Sequence, residues 1–403
     1  MRINEEVFRA EYAGLYEKAQ SEAKGYVAHP EKLQADIDSK KKERDPLRLR
    51  APEPDQYAYR MMHYQGFARF PERLKNFIVA KNEPKSLARS FLPAIMDVEP
   101  NSRCNFRCIM CQVSEWGKGG RARDMTYDEL KKFMESQPYL TEVKLHGMGD
   151  PFLNKFYNDM VKYPADKSIW VRTSTNASLL HINKNYQKLI DAGIGEVQVS
   201  FDGATKDVCE RIRRGSNYER IVQNCTMLNN YANRQKRPYT RMWVLLQKYN
   251  RHQVFDFVEM ADKMGFRRMT FSITLNDWGQ ENWNIKNRDL QAKQGFSDEE
   301  ENKLAELAIR YAMDVTVWKQ ADKYSTNSPD TLCPWPFTRP YISCDLRVVP
   351  CCMIANPQIA DFGDANDFEQ IWNGPGYQAF RRAHIEGNIP QYCRSCYDLT
   401  DNT

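Results

Sequence analysis

Three cysteines, Cys104, Cys108 and Cys111, stand in the run Asn-Ser-Arg-Cys-Asn-Phe-Arg-Cys-Ile-Met-Cys-Gln from Asn101 to Gln112. Their spacing lets one short loop wrap three thiolates around a single inorganic centre and leaves one coordination position open. Thiolates are soft ligands that suit iron–sulfur chemistry, and a cluster with three protein ligands keeps an iron able to bind something else. A structural zinc ion would want a fourth ligand close by, in a second Cys-x-x-Cys or a His pair, and none lies within eighty residues downstream. The bland alternative is a buried trio of structural thiols.

A second group lies near the carboxyl end: Cys333, Cys344, the pair Cys351-Cys352, and Cys393-Arg-Ser-Cys396. Cys333, Cys351, Cys393 and Cys396 would supply four ligands and saturate a second centre, which suits either an iron–sulfur cluster or a zinc ribbon. Cys209 and Cys225 lie between the two groups. Eleven cysteines in a reducing compartment argue for metal ligation rather than disulfides.

The elements that must position these groups fall into four segments. Residues 1–91 read as a polar helical extension, with helical periodicity from Glu5 to Tyr26, a second charged segment opened by Pro30, and a third beginning at Asp55. A packing layer over the next segment is the favoured role, ahead of a lid or substrate-capturing extension. Residues 92–275 alternate strand and helix. Strands are predicted at 94–98, 142–146, 169–174, 196–201, 242–247 and 269–274, and one long helix at 205–231. Six such units in so short a span predict an incomplete (βα)6 TIM-like barrel rather than a closed eightfold one, with working groups at the carboxyl ends of the strands. Residues 276–329 read as a charged bridge with a helix from Ser297, and 330–403 as a small cysteine-rich domain. The class is α/β.

Polar groups follow the strands where that rule expects them. After the second come Gly147, Gly149, Asp150 and Pro151, where glycine permits close backbone approach and the carboxylate can accept from an ammonium group. The third ends at Thr175 and Asn176, suited to ribose hydroxyls. The fourth ends at Ser200, and the helix after it carries Arg213, suited to a carboxylate.

The cysteine loop followed by these segments resembles the radical S-adenosylmethionine superfamily, and residues from Cys333 onward, with Ile371-Trp372-Asn373 and Phe380-Arg381, resemble its SPASM/Twitch extension. The resemblance covers roughly 92–275 and 330–400. It implies a [4Fe–4S] cluster on Cys104, Cys108 and Cys111, S-adenosylmethionine on the open iron, and one auxiliary [4Fe–4S] cluster on Cys333, Cys351, Cys393 and Cys396. It implies cofactor contacts from Gly147, Gly149, Asp150, Pro151, Thr175, Asn176, Ser200 and Arg213. Asp150 stands where relatives carry glutamate, and Ala177 where they more often have glycine.

The activity so implied makes a 5′-deoxyadenosyl radical that abstracts hydrogen from a substrate. The expected reaction is dehydrogenation of a small polar molecule, a sugar or aminocyclitol. Epimerisation or dehydration of a similar substrate and maturation of a ribosomal peptide are the alternatives. An epimerase would need a thiol to return hydrogen, for which Cys344 and Cys209 are candidates. Peptide maturases commonly carry a leader-binding module with a three-stranded sheet, and residues 1–91 show no strand alternation. A non-catalytic iron–sulfur or zinc scaffold is the reading from another class.

Composition sets the remaining bounds. A net charge of +5 over 403 residues falls short of a nucleic-acid footprint. The basic run Lys40-Lys41-Lys42-Glu43-Arg44 reads as a solvated helix face. No apolar run reaches the roughly 20 residues of a spanning helix, so no membrane partner is expected. Without a secretory pattern at the amino end, the expected location is cytoplasmic. An external electron donor such as flavodoxin or ferredoxin is expected.

Overall fold

The computed structural model describes residues 3–398 apart from 43, 44, 46, 47, 117–122, 236, 238, 293, 294 and 319–322. Glu43 and Arg44, which end the basic run, therefore lie outside the described residues.

The chain opens with helices α1 (Glu5–Glu11), α2 (Ala13–Ala28), α3 (Pro30–Lys42), α4 (Gln56–Arg69) and α5 (Pro71–Asn82). Local chemistry starts them: Asn4 and Asp55 accept backbone N–H groups at the heads of α1 and α4, and Pro71 occupies the first turn of α5. Then β1 (Ile95–Val98), α6 (Tyr127–Glu135), β2 (Glu142–Leu145), α7 (Tyr157–Asp166), β3 (Trp170–Thr175), α8 (Asn185–Asp191) and β4 (Glu196–Ser200) alternate. They continue with α9 (Lys206–Ile212), α10 (Tyr218–Arg234), β5 (Thr240–Leu245), α11 (Val254–Lys263) and β6 (Arg268–Ser272). The predicted six strands are all present.

Two features depart from expectation. The single long helix predicted from Thr205 is broken at Arg213–Asn217, where Gly215 takes φ +88°. The bridge beyond residue 276 holds α12 (Glu281–Leu290), α13 (Asp298–Arg310) and a further strand, β7 (Asp314–Trp318), parallel to β6. Residues from Cys333 form α14 (Trp335–Thr338), β8 (Tyr341–Ile342), β9 (Val348–Val349), α15 (Phe368–Trp372) and α16 (Pro375–Ile385).

All strands share one sheet, in the order β7-β6-β5-β4-β3-β2-β1-β8-β9, parallel except for the β8–β9 hairpin. The first seven neighbour one another in chain order, as in a TIM-type barrel, but β1 pairs with β8 instead of β7, so the barrel stays open. One face is apolar: Met96, Val98, Val143, Leu145, Val197, Val199, Met242, Val244, Met269 and Phe271 are buried in the main core.

Register gives the opposite face a different character. Asp97, Lys144, Arg172 and Glu196 lie side by side across β1–β4, and Ser200, Trp243, Thr270 and Thr316 across β4–β7. Parallel sheets are normally apolar on both faces. A polar second face is what a sheet needs if its concave side holds water or a polar ligand.

The amino-terminal helices close the lower end of that concave face. Tyr59 on α4 donates to Glu142 at 3.1 Å and meets Trp170 edge-on, both at the amino ends of their strands. The Glu53 carbonyl accepts from Arg241 and Arg268, and Arg50 pairs with Asp314 at 2.7 Å. The described part of 1–91 is thus helical packing at the end of the barrel opposite the cysteine loop. No helix among the described residues is long and apolar enough to cross a membrane.

Candidate active site

β1 leads directly into the cysteine loop, and the loop is held from below by backbone. The break between α9 and α10 frees carbonyls that a continuous helix would have used: the Arg107 N–H donates to the Arg214 carbonyl at 2.8 Å, and the Ile109 N–H to the Ile212 carbonyl at 3.0 Å. The break that sequence periodicity missed is therefore part of the site.

The loop after β2 packs against the same segment with no room to spare. A Cβ on Gly149 would sit 2.2 Å from the Arg103 carbonyl, and one on Gly147 would sit 2.2 Å from Glu99 Cγ. The Asp150 N–H donates to the Arg103 carbonyl at 2.8 Å. Glu99 is fully buried and bridges two loops, accepting from the Met148 N–H at 2.9 Å and the Cys344 N–H at 3.1 Å.

Asp150 is turned toward β3. Its carboxylate accepts from Thr175 Oγ1 and the Asn176 N–H, each at 2.8 Å, and from the Phe152 N–H at 3.1 Å. Burial raises its pKa against these three bonds. A carboxylate has about four acceptor positions, so one remains. Asn176 donates to Asn105 Oδ1 at 3.0 Å and lies 3.9 Å from Cys104 Sγ, which ties the third strand end to the cysteine loop. Ala177 takes φ +61°, a left-handed conformation that explains a preference for glycine there. Ser200 ends β4 on the polar face beside Trp243. Arg213 Nη2 lies 2.6 Å from Asp202, and its buried Nε has no hydrogen-bond partner.

Both cysteine groups converge. Burial, with Asp150 and Cys108 adding to it, pushes Cys104 up to about 11, and burial with Cys108 pushes Cys111 up to about 12. Burial likewise raises Cys351 far above the ordinary thiol range, with Cys352, Cys393, Cys333 and Cys396 all adding to it. Thiols that oppose one another's ionisation are stable as thiolates only around a cation, the donor chemistry of a metal centre. Among the described residues, no three His, Cys, Asp or Glu side chains draw close enough to hold a single metal ion. A multi-iron cluster separates its ligands more widely than a single ion does.

The spare cysteines part company. Cys209 is fully buried, faces Gly203 beneath the Asp202–Arg213 pair, and is pushed up to about 12 by burial. Cys344 is buried in the main core. Cys225 lies on the buried face of α10. None of the three opens onto the concave face. Cys352, adjacent to Cys351 in sequence, acts on Cys351 and is itself within reach of the charged groups Asp97, Lys144, Arg339 and Arg172. Sequence spacing had no means of separating Cys351 from Cys352.

The polar face near the cysteine loops is a charge network that strand alternation alone could have flagged. Asp97 accepts from Arg339 Nε at 2.8 Å and lies 3.1 Å from His146 Nε2; burial opposes its charge, but Arg339 and His146 hold its pKa well below the usual carboxylate range. Burial, with Lys144 beside it, lowers His146 to about 4.

An open parallel barrel with a three-cysteine loop after its first strand defines a radical S-adenosylmethionine fold. Residues 98–261 match the radical SAM superfamily, and residues 333–397 match SPASM, an iron–sulfur cluster-binding domain. The chain belongs to the radical SAM superfamily and carries a SPASM domain. Its cofactors are S-adenosylmethionine and a [4Fe–4S] cluster, with auxiliary iron–sulfur binding in the SPASM domain. Among similar proteins, PqqA peptide cyclase of Bradyrhizobium diazoefficiens is 24% identical over 321 residues, 77% of this chain and 81% of that one. SuiB of Streptococcus suis bound to precursor peptide SuiA has a TM-score of 0.53 at 12% identity, covering 72% of this chain and 67% of that one. Native anSMEcpe with bound AdoMet and Cp18Cys peptide has a TM-score of 0.53 at 15% identity, covering 76% and 88%.

Proposed function

We propose that the chain is a radical SAM enzyme acting on a peptide, a change of substrate from the small polar molecule that the sequence reading favoured. The observation that carries it is the similarity to a peptide cyclase along 77% of the chain, a length that takes in more than the barrel alone. Cys104, Cys108 and Cys111 would hold the first cluster, and Cys333, Cys351, Cys393 and Cys396 an auxiliary one. Bound there, the first cluster and S-adenosylmethionine supply a 5′-deoxyadenosyl radical.

The chain's own residues orient the cofactor. Gly147 and Gly149 would let the backbone approach it closely, Pro151 fixes the turn, Thr175 and Asn176 present polar groups at the end of β3, and Ser200 and Arg213 would bind the methionyl end. The free Nε of Arg213 supports that last role. A reducing cytoplasm and an external donor such as flavodoxin or ferredoxin fit a centre built on free cysteines.

A second reading, dehydrogenation of a small polar substrate, is favoured by the charged face around Lys144, Arg172 and Asp97. One experiment separates the two. Reduced enzyme and S-adenosylmethionine are incubated anaerobically with the peptide and small-metabolite fractions of fully deuterated cells, and the 5′-deoxyadenosine is analysed by mass spectrometry. Deuterium drawn from the peptide fraction is expected; deuterium only from the small-metabolite fraction sinks the peptide reading. Loss of 5′-deoxyadenosine in Cys108→Ala is expected in either case.

A further inference from the structure

The segment from the end of β6 through α12 touches both cysteine groups. On one side Asn287 donates to the Met110 carbonyl at 3.2 Å and Gln280 to Gln112 at 2.9 Å, both in the first loop. On the other, Asn276 donates to the Met353 carbonyl at 3.1 Å, two residues past Cys351. The connection adopts a costly backbone: Trp278 and Gly279 take φ +59° and +68°, and a Cβ on Gly279 would lie 3.0 Å from Tyr392. Bulky residues enter that region only where surrounding structure holds them there.

What the contorted turn achieves is the placement of Asp277. Its carboxylate accepts from the Gly279 N–H at 3.0 Å and from Asn284 at 3.3 Å. With Met353, Ser395 and Cys396 it lines a cavity of about 210 Å³. That shared cavity puts the carboxylate on the Cys396 side of the second cysteine group. Cations nearby include Arg288, which lines the same cavity and donates to Asn284 at 2.8 Å, Lys323 beside Cys396, and Lys85, which donates to the carbonyls of residues 329, 330 and 332 beside Cys333.

We propose that Asp277 is a positioning residue that sets the reduction potential of the auxiliary cluster. The inference rests on the assignment of Cys333, Cys351, Cys393 and Cys396 as that cluster's ligands. A one-electron reduction adds negative charge to the cluster, and a fixed carboxylate at its Cys396 edge opposes it, so the potential is lower than the four thiolates alone would give. Charge near a cluster is among the levers that set its potential. A lower potential makes the centre a stronger donor once it has taken an electron.

The test uses full-length reconstituted protein with Cys104→Ala, Cys108→Ala and Cys111→Ala, so that only the auxiliary cluster titrates. Iron and sulfide are counted, and the midpoint potential is read by electron paramagnetic resonance. Asp277→Asn keeps the turn's hydrogen bond and removes the charge; the midpoint is expected to move positive at unchanged iron content. Asp277→Glu is expected to restore it toward the parent, and Lys323→Met to move it negative. An unmoved midpoint in Asp277→Asn overturns the proposal, as does loss of iron, which would make Asp277 a ligand. A parent lacking iron, with Asp277 in place, instead overturns the ligand assignment.

Discussion

Arg213 and Asp202 form an ion pair of 2.6 Å in which neither side chain is open to solvent. Asp202 also accepts from the Leu245 N–H at 2.8 Å, so the pair ties the ends of β4 and β5 to the helix break that carries the cysteine loop. Burial raises the Asp202 pKa, and Arg213 is the largest influence against that rise.

Removing one partner of such a pair leaves a buried charge uncompensated. Arg213→Met is expected to destabilise the protein by about 3–5 kcal/mol, as measured by urea unfolding. The double variant Arg213→Met/Asp202→Leu is expected to recover part of that stability while 5′-deoxyadenosine formation stays low. Full recovery of formation in the double variant would mean that Arg213 has no cofactor contact.

Gly149→Ala asks for a methyl group where the Arg103 carbonyl already stands, 2.2 Å away. Overpacking of this kind costs about 1–3 kcal/mol, and here the displaced atom is backbone beside Cys104. Iron retention by the first group is expected to fall more than global stability. Iron content and urea midpoint, measured on the same sample, distinguish the two effects.

His63 on α4 is buried against the barrel, and burial lowers its pKa to about 4. The unfolded chain takes up a proton near the ordinary value of about 6.5. The stabilisation is therefore complete above about 6.5 and is lost as pH falls through that value toward 4. The full difference is worth about 3 kcal/mol. His63→Gln should be less stable than the parent at pH 7.5, with the gap shrinking by pH 5; a gap independent of pH would place the proton elsewhere.

Sequence periodicity located the strands because their apolar faces alternate cleanly, and the chemistry was legible wherever one loop held it entire, as at Cys104–Cys111. It failed where tertiary contact decides. Residues 205–231 are helical by pattern, yet the loop at 107–109 draws on carbonyls at 212–214 and Gly215 permits the break. The five residues of β7 lie in a charged stretch, and only pairing with β6 makes them a strand. Asp150 reads as a free carboxylate until Thr175 and Asn176 are seen to occupy it.

The SPASM domain enters the fold through β8, which extends the barrel's own sheet at β1 rather than hanging from a tether. The spacing between the two cysteine groups is thereby fixed by a hydrogen-bond ladder. A cassette exchanged in from a relative would have to bring a matching strand, or leave the first barrel strand with a bare edge and the two metal-binding loops out of register.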